Sequence, residues 1–193
     1  MHIGFTGTRN TPTDEQLIIL DSYLHGRKTF HGFTTFHHGD CVGSDHAAAL
    51  LAQDRGYHVI SHPPLDSRYR AFVRSHKENT PLDYLERDRH IVQSSNLMIS
   101  LTRKEVSLQE ILNCENGTSR GGTYYTTRYA LKHNKWVYLV TPKGSIEYGV
   151  HLENNTVELK ICQKTSLKSR QLKPVLKLSQ NVSSVKKKLQ DNK

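Results

Sequence analysis

Short apolar segments alternate with stretches of helical periodicity from residue 2 to residue 141. The apolar segments have the length of β-strands and fall at residues 2–6, 34–38, 57–61, 97–101 and 136–140. Strands that alternate with helices form a parallel sheet, because each connection must return to the same end of the sheet before the next strand begins. The sequence therefore predicts an α/β fold with a Rossmann-like parallel sheet of about five strands and helices on both faces.

Glycine-rich turns precede the predicted helices at three places, within residues 6–9, 39–45 and 119–126. Right-handed crossovers bring all strand-to-helix turns to one edge of a parallel sheet, and the ligands of such sheets bind at that edge. We therefore expect the three turns to converge on one binding site.

The first turn supplies Thr6, Gly7, Thr8 and Arg9 as candidate ligand-binding residues. Glycine lets the backbone approach a ligand, threonine hydroxyls donate hydrogen bonds, and arginine can bind phosphate through two parallel bonds. An ordinary turn before a helix fits the same residues equally well.

The helix after the first turn has recognisable ends. Thr13 followed by Gln16 is the pattern of a capping box, which predicts the start of the helix. Gly26 predicts its end.

The second turn supplies Gly39, Asp40, Gly43, Ser44 and Asp45. Two glycines stand just before a predicted helix, whose free amides and dipole favour an anion. Ser44 can cap this helix and also contact a phosphate, whereas Asp45 suits the helix dipole. Asp40 would repel a phosphate, so we expect it to accept a hydrogen bond from a ribose hydroxyl or to orient a neighbouring residue.

The third turn supplies Arg120, Gly121, Gly122, Thr123 and, one helical turn later, Thr126. It again joins a pair of glycines to the start of a helix. Its spacing differs from the Walker A motif, and the first turn differs from G-x-G-x-x-G. Neither a P-loop nor a standard dinucleotide fingerprint is therefore supported.

The net charge of +9 lies in the last part of the chain. Residues 160–193 contain ten lysines and arginines and one acid, whereas the preceding residues hold 17 bases and 17 acids. Such a tail attracts polyanions without specificity. We accordingly divide the chain into a nucleotide-binding domain at 1–144, a peripheral strand or extension at 145–162, and a basic, flexible tail at 163–193.

In the predicted helix before the fourth strand, Arg87 and Arg89 stand among the acids Asp83, Glu86 and Asp88. Composition alone favours a solvent-exposed face with several ion pairs.

Histidines are numerous, 12 in all, but their spacing does not indicate a metal site. The sequence has no H-E-x-x-H motif, and the adjacent residues His37 and His38 would point to opposite faces of a strand. We expect neither a metal nor a cofactor. Because no apolar run could cross a bilayer and no signal peptide precedes the first strand, we also expect no membrane contact and a cytoplasmic location.

Four motifs in this order resemble the SLOG superfamily, the Rossmannoid proteins related to Smf/DprA and to the LOG-type phosphoribohydrolases. They are residues 4–9, 38–45, 86–92 and 120–123, and the resemblance covers residues 2–141. It implies a sheet whose loops hold the phosphate of a nucleotide. It also implies a homo-oligomer, since relatives often dimerise through helices near the site.

Individual residues of this chain match the motifs of the family, with one exception. Arg87 matches the family's arginine, and Gly122 with Thr123 aligns with the Gly-Thr pair of the LOG enzymes. Thr126 then stands where those enzymes have a glutamate that assists N-glycosidic cleavage. Threonine cannot replace that carboxylate, so Asp40, Asp45 or Glu86 would have to supply it.

Three hypotheses follow. The first is a protein that senses or sequesters a nucleotide or nucleotide-derived signal. The second is a nucleoside-phosphate N-glycosidase, with Arg87, Asp40 and Glu86 as candidate catalytic residues. The third is a nucleic-acid-binding protein that uses the basic tail.

Overall fold

The computed structural model describes residues 1–114, 121–152, 156–160 and 182–190, of which residues 151, 152 and 156–160 are described by their backbone alone. Eight strands form one sheet in the order β4-β3-β2-β1-β5-β6-β7-β8. The strands are β1 His2–Gly7, β2 Thr35–His38, β3 His58–Ser61, β4 Lys77–Glu78, β5 Leu97–Leu101, β6 Trp136–Val140, β7 Ile146–Leu152 and β8 Thr156–Lys160. The first six strands are parallel to one another, and β7 and β8 extend the sheet in antiparallel pairing.

Helices cover both faces of this sheet, as predicted. They are α1 Asp14–His31, α2 Ser44–Asp54, α3 Tyr84–Gln93, α4 Leu108–Asn113, α5 Gly122–Lys132 and α6 at residues 182–190. One apolar cluster lies between the sheet and α1, α2 and α6, and a second lies between the sheet and α3, α4 and α5. Leu97 and Ile99 of β5 belong to the first cluster and Met98 to the second, so alternate residues of the strand face opposite layers.

The α/β class and the five predicted strands are confirmed, but the number of strands is larger than predicted. β4 was missed because it consists of two exposed charged residues, Lys77 and Glu78, in a polar segment. The extension at 145–162 was expected to hold one strand and contains two, since β7 precedes β8.

Helix α1 begins as predicted and ends later than predicted. The side chains of Thr13 and Gln16 each accept a hydrogen bond from the other's backbone, which completes the capping box. The helix continues through Gly26 and ends before Gly32, which adopts the left-handed conformation (φ 64°). The predicted end at Gly26 was therefore wrong, because a glycine inside a helix is tolerated when a better terminator follows.

The expected flexible tail is wrong at residues 182–190, which form α6. Val182 and Val185 are buried in the first apolar cluster, and Leu189 packs against it. Lys186 pairs with Asp14, and Lys188 pairs with Asp54 at 3.1 Å. Residues 161–181, the rest of that stretch before α6, lie outside the described residues.

Within the described ranges, no helix combines the length and apolar character needed to cross a membrane. β1 and β5 are neighbours in the sheet. The chain continues from β1 to β2 on one side of this pair, and from β5 to β6 on the other side. Two connections that diverge in this way open a crevice at the carboxyl ends of the two strands, where open α/β sheets bind ligands.

Candidate functional site

A cavity of about 820 Å³ lies where β1 and β5 end. Segments after β1, β2 and β5 contribute to it, together with α3 and the start of α5. Its lining residues are Phe5, Thr6, Gly7, Thr8, Arg9, Asn10, Gly39, Cys41, Asp45, Tyr84, Leu85, Arg87, Asp88, Ile91, Arg103, Lys104, Gly121, Gly122, Thr123 and Tyr124. All three glycine-rich turns therefore reach one cavity.

Most of the residues predicted for the site line this cavity. They are Thr6, Gly7, Thr8, Arg9, Gly39, Asp45, Arg87, Gly121, Gly122 and Thr123. Five others do not line it, namely Asp40, Gly43, Ser44, Glu86 and Thr126. Arg120 lies outside the described residues.

Gly43 and Ser44 hold the first turn in place. The Ser44 amide donates to the carbonyl oxygen of Thr8 at 3.0 Å, and its hydroxyl donates to that of Asn10 at 3.2 Å. Gly43 has a φ of 82°, and a Cβ there would overlap the carbonyl of Arg9. The amide and hydroxyl expected to bind phosphate are thus already bonded to the protein.

Thr123 joins the third turn to the first. Its hydroxyl donates to the carbonyl oxygen of Gly7 at 2.7 Å. Among the described residues, the N-cap Gly121 offers no side chain to the amino end of α5, where Gly121, Gly122 and Thr123 line the cavity. The positive end of the helix dipole therefore faces this wall.

Arg87 is buried, with 5% of its surface exposed, so the prediction of a solvent-exposed face was wrong for this residue. Its Nη1 donates to the carbonyl oxygen of Gly39, and its Nε lies 2.8 Å from Asp88 Oδ1. Burial lowers the pKa of Arg87, but Asp88, Cys41 and Asp45 outweigh that effect and raise the pKa above its usual value. The guanidinium is therefore a permanent positive charge at the cavity.

Asp45 is a buried carboxyl group in the wall of the cavity. Its Oδ2 accepts hydrogen bonds from the amides of Gly39 at 3.0 Å and Cys41 at 3.3 Å. Burial raises the pKa of Asp45 to about 7, although Arg87 and the amides oppose the increase. The group can thus exchange a proton near neutral pH.

Asp88 is a second buried carboxyl group in the cavity wall, and the sequence interpretation missed it. Thr126 donates its hydroxyl to Asp88 Oδ2 at 2.8 Å, and burial raises the pKa of Asp88. The signal was present in the helical spacing, because Ile91 follows Arg87 and Asp88 by four and three residues. That spacing places both residues on the apolar face of α3.

Asp40 lies away from the cavity, contrary to its proposed contact with a sugar. Its side chain is fully buried, pairs with Arg70 Nε at 2.5 Å and accepts from the amide of Val73 at 2.9 Å. Its carbonyl oxygen accepts from the Ala71 amide at 2.8 Å. The alternative role of orienting a neighbour agrees with these contacts, since Asp40 fixes the segment from 70 to 73.

Glu86, the other candidate acid, is exposed on α3 and does not reach the cavity. Neither Asp40 nor Glu86 is therefore placed to act on a ligand there. Among the described residues, the acids that line the cavity are Asp45 and Asp88.

Arg103 and Lys104 form an exposed basic rim that the sequence interpretation also missed. Both follow the carboxyl end of β5, so their position in the chain already indicated this edge. The described residues contain no group of three or more His, Cys, Asp or Glu side chains that could hold a metal ion.

The chain shares its fold with a solved structure. It is similar to the molybdenum cofactor binding protein from the phototrophic bacterium Rippkaea orientalis, with a TM-score of 0.50, 23% identity, and coverage of 72% of this chain and 76% of that chain. A molybdenum cofactor carrier protein from Chlamydomonas reinhardtii matches with a TM-score of 0.47, 24% identity and the same coverage. No family model and no curated protein sequence matches this chain. At these identities the likeness concerns the Rossmann-like fold.

Proposed function

We propose that this protein is a SLOG-type protein that binds a nucleotide or nucleotide-derived small molecule in the cavity at β1 and β5. The phosphate would lie against the amino end of α5, near Arg87, and the protein would sense or sequester its ligand. The fold, the position of the cavity and the three converging turns support this proposal.

One observation carries the proposal, namely that the buried Arg87 keeps hydrogen-bond donors on Nη2 without a strong acceptor. Its Nε lies in the ion pair with Asp88 at 2.8 Å, and its Nη2 has only the Cys41 sulfur at 3.8 Å among the described residues. A buried donor without a partner costs about 1–3 kcal/mol. A ligand phosphate oxygen would satisfy these donors with charge-assisted bonds.

The charge of the cavity also suits an anion. In the described part of the chain, four basic residues line it, against the two buried acids Asp45 and Asp88. These are Arg9, Arg87, Arg103 and Lys104. A volume of about 820 Å³ lies in the usual range for small-molecule sites.

The structural neighbour supports a small molecule as the ligand. The Rippkaea orientalis protein is a molybdenum cofactor binding protein, and its fold is shared over most of both chains. Because the crevice at the strand ends belongs to the fold, a ligand at the same edge is the natural expectation for this chain.

Hydrolysis of an N-glycosidic bond is a second candidate, favoured by the position of Asp45 and Asp88 in the cavity wall. Cleavage of that bond develops positive charge on the sugar, which a nearby carboxylate stabilises. Asp88 comes from α3 and is oriented by Thr126, the residue that stands where LOG enzymes have a glutamate. Nucleic-acid binding by the tail and a homo-oligomer stay predictions.

A nucleotide panel separates binding from cleavage. The protein is incubated with nucleosides and with nucleoside mono-, di- and triphosphates, and its melting temperature and the release of free base are measured. We expect a higher melting temperature with phosphorylated ligands and not with nucleosides, and no free base. Release of free base would establish the second candidate, and an unchanged melting temperature with every nucleotide, without release of base, would contradict both.

A further inference from the structure

Arg9 is an exposed arginine whose charge is held in place. Its guanidinium carbon lies 4.1 Å from the ring centroid of Tyr69 and 5.5 Å from that of Tyr84, distances at which aromatic rings attract cations. The part of the chain that the structure describes offers Arg9 no carboxylate within ion-pair distance. Asp66 interacts with its charge from further away and is itself paired with Arg68 at 2.6 Å.

The backbone around Arg9 is fixed as well. The amino end of α2 bonds to both neighbours of Arg9, through the amide of Ser44 to Thr8 and through its hydroxyl to Asn10. Gly43 packs so closely on the Arg9 carbonyl that a Cβ would overlap it. An arginine that only contacts solvent does not need a fixed backbone, so the fixed backbone at Arg9 favours a role in binding.

Tyr84 connects Arg9 to Arg87. The guanidinium carbon of Arg87 lies 5.7 Å from the centroid of the same Tyr84 ring, and all three residues line the cavity. The two guanidinium carbons can thus be no more than about 11 Å apart. The Tyr84 hydroxyl donates to the carbonyl oxygen of Asp66 at 3.3 Å, which fixes the position of the ring.

We propose that the ligand carries two anionic groups, one bound by the buried Arg87 and the other by Arg9 at the mouth of the cavity. This inference rests on the proposed function and narrows the ligand to a nucleoside diphosphate or bisphosphate rather than a monophosphate. Each guanidinium can bind one phosphate through paired, charge-assisted hydrogen bonds. Their separation, at most about 11 Å, lies within the reach of a small molecule with two phosphates.

The test uses ligands that differ only in phosphate number. Affinities of the full-length protein for adenosine 5′-monophosphate, 5′-diphosphate and 3′,5′-bisphosphate, and for the guanosine series, are measured by calorimetry. We expect the second phosphate to raise affinity by about tenfold or more, as one charge-assisted contact does. Arg9→Gln should remove that gain, so that the ratio of diphosphate to monophosphate affinity falls toward one. Arg74→Gln, an exposed arginine outside the cavity lining, is the matched control and should behave as wild type.

The result that overturns this inference differs from the one that overturns the proposed function. Equal affinity for mono- and diphosphates would show that a single phosphate occupies the site. A gain that survives Arg9→Gln would show that Arg9 does not bind the second phosphate. If no nucleotide of either series bound, the proposed function would fail and the two-anion ligand with it.

Discussion

The guanidinium of Arg87 donates to the carbonyl oxygen of Gly39, and its Nη1 occupies the space that a Cβ on residue 39 would need. The same Cβ would lie 2.8 Å from the carboxylate of Asp45. Gly39 is therefore required for Arg87 and Asp45 to occupy the wall of the cavity together.

Gly39→Ala should lower the free energy of unfolding by about 1–3 kcal/mol, because the added methyl displaces a buried ion-paired side chain. It should also weaken nucleotide binding, since Arg87 must move. Gly26→Ala is the control, because a Cβ there meets nothing within 4 Å. Because alanine favours a helix interior more than glycine does, Gly26→Ala should raise the free energy of unfolding by about 0.5–1 kcal/mol. Urea denaturation measures both changes, and similar destabilisation by the two variants would contradict this account of Gly39.

Asp45 should make the protein less stable as pH rises from about 4 to about 7. Burial raises its folded pKa from 3.8 to about 7, so over this range the unfolded chain loses the proton while the folded chain keeps it. The penalty is absent below the unfolded pKa and complete above the folded one. Asp45→Asn should remove it, so the stability of the variant relative to wild type should rise by on the order of 2–4 kcal/mol between pH 4 and pH 7.5.

The measurement is a set of denaturation curves for both proteins across that pH range. Comparison with wild type cancels the contribution of the buried histidines, whose pKa values are lowered by burial. A difference that stays constant with pH would show that Asp45 is already ionised in the folded protein at acid pH.

Thr126 should act through Asp88. Thr126→Val removes the hydroxyl that donates to Asp88 Oδ2 and leaves a buried carboxylate short of one donor. We expect a loss of about 1–3 kcal/mol in stability and weaker nucleotide binding. Thr126→Ser keeps the donor and should restore most of the binding, which distinguishes the hydrogen bond from simple packing. If the Thr126→Val and Thr126→Ser variants bound the nucleotide with the same affinity, Thr126 would have no part in orienting Asp88.

Helix α6 should contribute to the stability of the folded domain. Val185 is fully buried in the first apolar cluster, so Val185→Ala should lower the free energy of unfolding by about 2 kcal/mol. Ser184→Ala, on the exposed side of the same helix, should change it by less than about 0.5 kcal/mol. If both variants left the free energy of unfolding unchanged, this segment would instead be the flexible tail that its charge predicted.

The architecture could be predicted because the sequence pattern of each strand and helix is local. Each strand is a short apolar run and each helix has its own periodicity, so the five central parallel strands could be read without knowing their partners. The convergence of the three turns then followed from the handedness of the crossovers. β4 is two exposed charged residues and carries no such signal.

Side-chain roles depended on neighbours that the sequence does not reveal. Ser44 and Asp40 have the residue types of a ligand site, yet their hydrogen bonds go to Asn10 and Val73, which are distant in the chain. Arg87 was interpreted from the charges beside it, whereas its burial follows from Ile91 one turn later. The apolar spacing of Val182 and Val185 was likewise obscured by the lysines that follow.

The central claim is that Arg87 binds the phosphate of a nucleotide in the cavity at β1 and β5. The most direct measurement is the calorimetric affinity of Arg87→Ala for whichever nucleotide stabilises the wild-type protein, beside that of Arg89→Ala. Arg89 is exposed on the same helix and donates to the Tyr125 hydroxyl at 2.7 Å, outside the cavity. The account predicts a loss of affinity of at least about tenfold for Arg87→Ala, with the variant still folded by circular dichroism, and no change for Arg89→Ala. Unchanged affinity in a folded Arg87→Ala protein would contradict it.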